Sequence, residues 1–131
     1  MKLNPDCIRD ILIALENLTT GVNTTYIFHS WDEVPEQLPS LQKYPVDMLS
    51  YHIHQLDLCG MLYNANFPRD GFSFMDLTPS AHEFLANIRQ ETNWNKTKEI
   101  ASKAGSFGLS ILKSISEGVA TAYVKQRLTL P

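Results

Sequence analysis

Cysteine, glycine and long apolar runs are all scarce in this chain, and each scarcity removes a class of protein. Two cysteines, Cys7 and Cys59, in 131 residues are too few for the multiply bridged scaffold of a small secreted domain. Both fall in helical patterns among apolar neighbours, as expected of reduced thiols packed as small hydrophobes. The six glycines form no phosphate-binding loop with its Gly-Lys-Ser/Thr end, no dinucleotide fingerprint after a strand and no Gly-x-Ser-x-Gly elbow. No stretch approaches the roughly 20 apolar residues of a membrane span. The least polar one, residues 105–124, is interrupted by Lys113 and Glu117. Asp6, Arg9 and Asp10 break the first helical pattern, so the apolar centre of a signal peptide is missing. A cytoplasmic protein without membrane contact is the expectation.

Catalytic and metal-binding constellations are equally thin. His52, His54 and Cys59 are the one grouping with a metal-like look, but residues two apart on a helix point to different sides, so the histidines do not chelate together. His82-Glu83 begins like a zinc-protease helix, yet Ala86 stands where the second histidine belongs. The acids are scattered rather than paired. No catalytic residue, no metal site and no cofactor is expected.

What is present is a folded domain with a lopsided charge. The 44% hydrophobic and 19% charged content is that of a globular chain, long enough for one domain and an appended element. The formal charge of −3 conceals a split: residues 1–88 hold four bases against eleven acids, residues 89–131 seven bases against three acids. An acidic body therefore precedes a basic tail.

Periodicity supplies the elements. Asn4-Pro5 caps a helix over about Pro5 to Leu18, with Ile8, Ile11, Leu12, Leu15 and Leu18 on one face. Thr25 to Phe28 reads as a brief strand. Pro35, Pro39 and Pro45 make the next helix short or irregular. Val46, Leu49, Ile53 and Leu56 then mark a third helix that stops at Gly60. Met61 to Asn66 and Phe72 to Asp76 alternate around Pro68-Arg69-Asp70-Gly71 as a hairpin. Thr78-Pro79 opens a helix to about Gln90 with Ala81, Phe84, Leu85 and Ile88 inward. A polar helical segment from Trp94 to Ala104 and a last helix over about Leu109 to Arg127 complete the chain. The last helix carries a stripe of Leu112, Ile115, Val119 and Ala122 beside a four-residue row of Ser110, Ser114, Gly118 and Ala122. That row admits close approach of another helix.

Helix, strand, broken helix, helix and hairpin is the order of a winged helix-turn-helix. The predicted fold is therefore mainly α (α+β), a winged helix-turn-helix over residues 1–90 with a two-stranded wing, followed by a helical extension over residues 91–131. The segments Asn4 to Leu12, Tyr51 to Asp57, Asp76-Leu77-Thr78 with His82 to Leu85, Trp94 to Lys98, and Gly108 to Ile111 together resemble an uncharacterised family of phage and bacterial proteins, the domain of unknown function numbered twenty-five thirteen. The resemblance implies a phage or prophage setting and a winged-helix fold. It carries no activity and no site residues.

On that fold the third helix and the wing are the surfaces that read a partner. With Leu49, Ile53 and Leu56 inward, Ser50, Tyr51, His54 and Gln55 face outward, and the wing adds Arg69. These residues point to a DNA-binding or transcription-regulatory module, helped by tail contacts from Lys96, Lys98 and Lys103. The alternative is an inhibitor or adaptor that uses the scaffold to bind a host or phage protein, since the acidic body opposes phosphate. The last helix offers an association surface of Leu112, Ile115, Gly118, Val119 and Ala122, through which a homodimer would form.

Overall fold

A computed structural model of the chain describes residues 1–129, so the last two residues of the predicted extension lie outside it. Over the described residues the fold is mainly helical, with six α-helices and two small sheets, and none of these helices is long and apolar enough to cross a membrane. The chain forms two compact units, Met1–His82 and Glu83–Pro131. The division falls inside a helix whose far end had marked the expected boundary at residue 90.

The first unit begins with α1 (Pro5–Leu18). Asn4 Oδ1 accepts the Cys7 N–H at 3.1 Å, and Pro5 occupies the first turn, where a missing N–H costs nothing. Cys7, Ile8, Ile11, Leu12 and Leu15 are completely buried. β1 (Tyr26–Phe28) follows, then α2 (Glu33–Gln37), a 3-10 turn at Pro39–Leu41, and α3 (Val46–Leu58). The three prolines thus split the predicted second helix into two short pieces. α3 buries Leu49, Ile53 and Leu56 together with His52 and packs against α1.

Three short strands complete this unit: β2 (Leu62–Tyr63), β3 (Phe72–Phe74) and β4 (Asp76–Leu77). β2 pairs antiparallel with β4, Leu62 opposite Leu77, and Asn66 bridges to Ser73 in the same register. This is the expected hairpin, interrupted in its middle. Asn64 takes the left-handed conformation at φ 52°, which a regular strand does not permit. β3 also pairs on its other side with β1, Phe28 opposite Phe72 and Tyr26 opposite Phe74. Those phenylalanines are buried, and the Phe28 and Phe72 rings stack at 5.0 Å.

α4 (Pro79–Ile88) begins in the first unit, and α5 (Glu91–Ala104) and α6 (Leu109–Thr129) make up most of the second. Gly105, at φ 77°, ends α5 and lets the chain turn back. Trp94, Thr97 and Ala101 form the buried face of α5, and Leu109, Leu112 and Ser116 that of α6. The predicted stripe on α6 needs correction: Leu112 is buried, Ile115 and Val119 are half-buried, and Ala122 is exposed. The face differs: the buried line runs Leu109, Leu112 and Ser116, which turns Ile115, Val119 and Ala122 toward its edge. Beyond it α6, about 31 Å long against about 21 Å for α5, outruns the helix it packs on. Cys59 also departs from expectation, because it caps α3 and is exposed, whereas Cys7 is buried.

Candidate functional site

The outward side of α3 is built by what the inward side must bury. Leu49, Ile53 and Leu56 turned inward leave Asp47, Tyr51, His54, Gln55 and Leu58 on the opposite arc. Of these, Asp47 and Leu58 are exposed and Leu58 is 77% accessible. Ser50, Tyr51, His54 and Gln55 are only half-buried. Leu58 is absent from the expected set, which holds only side chains able to hydrogen-bond, although the spacing that buries Leu49, Ile53 and Leu56 also turns it outward.

His54 is not a free base reader. Its ring stacks on Phe67 at 4.2 Å and lies 5.5 Å from Trp31, while Nδ1 donates to the Ser50 carbonyl at 2.8 Å. Trp31 in turn stacks on Phe72, and its backbone N–H donates to Asp70 Oδ1 at 3.1 Å. Three segments distant in sequence, the turn after β1, the middle of α3 and the base of the hairpin loop, are thereby clamped by aromatic faces. Sequence reasoning missed this clamp. The four aromatic residues lie in different patterns, and nothing local says that they meet.

Arg69 is exposed in the turn between Asn66 and Phe72, beside exposed Asp70. Gly71 closes that turn at φ 72°, and a Cβ there would collide with the Phe28 carbonyl oxygen. The turn is therefore pressed onto β1. Lys43, just ahead of α3, lies 3.1 Å from Asp10 Oδ2, and Tyr44 donates its hydroxyl to the same oxygen at 2.6 Å. Burial and the Asp10 carboxylate hold the Tyr44 phenol well above the usual range. The lysine nearest the start of α3 thus faces a carboxylate of its own chain.

His52 belongs to the frame and not to the surface. It is fully buried; its Nε2 accepts the Asn4 N–H at 2.8 Å and its Nδ1 donates to the Met48 carbonyl at 2.7 Å. Two histidines two residues apart therefore have opposite settings. Among the described residues no three metal-ligating side chains gather.

Electrostatics separates the two units. Met1–His82 holds four bases against ten acids, while the remainder of the chain holds seven bases against four acids. The three tail lysines singled out from sequence divide in the structure. Lys98 lies over the Trp94 ring at 5.5 Å, Lys103 pairs with Glu99 at 3.1 Å, and Lys96 is exposed.

The family of hypothetical proteins described as DUF2513 matches residues 2–107, which takes in all of the first unit after Met1, α4 and α5. The chain belongs to the DUF2513 family. No curated protein and no solved structure matches the chain. In this DUF2513 chain the match ends two residues before α6 begins.

Proposed function

We propose that the protein is a non-enzymatic winged-helix module of phage or prophage setting, and that α3 and the hairpin dock a protein partner. The order of elements supports the winged-helix assignment, with α3 in the recognition position and the hairpin as the wing. One observation carries the choice of partner: the outward arc of α3 holds Asp47, Tyr51, Gln55 and exposed Leu58 and no cation. A major-groove reader draws its affinity chiefly from cations on phosphates. An acidic surface with an exposed leucine and a half-buried tyrosine suits a basic, apolar protein face instead. The aromatic clamp supports the same reading, because His54 is engaged with Phe67 and the Ser50 carbonyl.

Fluorescence anisotropy on short duplexes, from about 50 to about 200 mM salt, tests the choice. The expected result is weak binding that Tyr51→Ala and Gln55→Ala leave unchanged. Tight binding that weakens steeply with salt and is lost in Tyr51→Ala, Gln55→Ala and Arg69→Ala would establish the DNA reading in its place. In cells, a photo-crosslinker at position 58 is expected to trap a protein that an Asp47→Lys background no longer traps.

A further inference from the structure

α6 has two unequal sides. One packs on α5 through Leu109, Leu112 and Ser116. The other is exposed along its full length and holds Ser114, Glu117, Gly118, Thr121, Val124, Lys125 and Leu128. Val124 is 52% and Leu128 78% accessible, more apolar surface than a solvated helix end needs. Beside α4 the same side forms one wall of a groove of about 520 Å³. Ala86 and Asn87 of α4 line it with Ala120, Thr121 and Val124 of α6, between Glu83, Glu117 and Lys125.

The order of residues along this side determines what fits it. Small side chains, Ser114 and Gly118, occupy the earlier turns, and large apolar ones, Val124 and Leu128, the later turns. Glu117 and Lys125 lie at equal distances on either side of Thr121. We propose that α6 pairs antiparallel with α6 of a second copy, about a twofold axis at Thr121. That symmetry sets Glu117 of each chain against Lys125 of the other, Val124 against Gly118, and Leu128 against Ser114. Charge meets opposite charge twice, and each large apolar side chain meets a small one that leaves it room. A parallel pair would instead place Glu117 on Glu117, Lys125 on Lys125 and Leu128 on Leu128. The partner that this surface complements is its own copy reversed.

The test turns on Gly118. A Cβ added there meets nothing within 4 Å, and leucine is the better helix former, so Gly118→Leu leaves the chain's own fold intact. Light scattering at high micromolar concentration is expected to give the mass of two chains for the wild type and of one for Gly118→Leu, with unchanged circular dichroism. Glu117→Lys should raise the dimer dissociation constant on the order of tenfold by opposing Lys125 of the second copy. Glu117→Lys combined with Lys125→Glu should restore it, since the exchanged charges meet again. A monomeric wild type, a dimer that survives Gly118→Leu, or a double variant no tighter than Glu117→Lys would each overturn the proposal.

Discussion

His52 shows how one side chain can be committed by its two neighbours in space. Its ring accepts from the Asn4 backbone on one nitrogen and donates to Met48 on the other, which suits the neutral ring alone. A proton added at Nε2 would face the Asn4 N–H in a fully buried site. Burial accordingly lowers its pKa from 6.5. The folded state therefore binds the proton less well than the unfolded chain, so stability is complete above pH 6.5 and falls as the pH drops through and below that value. Urea midpoints of wild type and His52→Gln between about pH 8 and about pH 5 should diverge. The wild type is expected to lose the larger share of its stability on acidification, and equal losses would refute this role. The sequence displayed His52 and His54 as a matched pair; their opposite environments depend on Asn4, 48 residues from His52, and on Phe67.

At the scale of elements, the helices were the legible part. Asn4-Pro5 marks the start of α1 to the residue because cap and first-turn proline act within a few positions, and Gly60 and Gly105 mark helix ends for the same reason. The strands were legible in position but not in partnership. β1 pairs with β3 across more than forty residues, and no local pattern encodes that choice. The turn before β3 shows the consequence. Gly71 combines a positive φ with close approach to Phe28, whereas Gly60 has the same φ sign with open space around it. Gly60→Ala should therefore cost about 1 to 2 kcal/mol, the price of the backbone conformation alone. Gly71→Ala should cost about 2 to 4 kcal/mol, because the β1 backbone must also move. Chemical denaturation measures both, and equal losses would mean that the hairpin turn has room to relax.

Across the whole molecule, burial is unevenly spread. α1 and α3 are enclosed, whereas α6 has no buried residue after Ser116. Hydrogen exchange should follow this gradient, slowest in α1 and α3 and fastest in the last turns of α6. If two copies pair through α6, exchange beyond Glu117 should slow as protein concentration rises while that of α1 stays constant. The acidic and basic halves of the chain were plain from composition. The outward face of α3 was only partly so: spacing turns both Leu58 and His54 outward, and Leu58 is exposed, but nothing in the spacing shows that the Phe67 and Trp31 rings cover His54. The clamp of Trp31, Phe67 and His54 has one more consequence, for kinetics. A hairpin already fastened to α3 has few joints left to freeze when a partner arrives, so the entropy of ordering that surface is lost during folding and not at encounter. Association should then proceed in one step, like a key of fixed cut, and a partner that needs a different outline would be refused rather than accommodated.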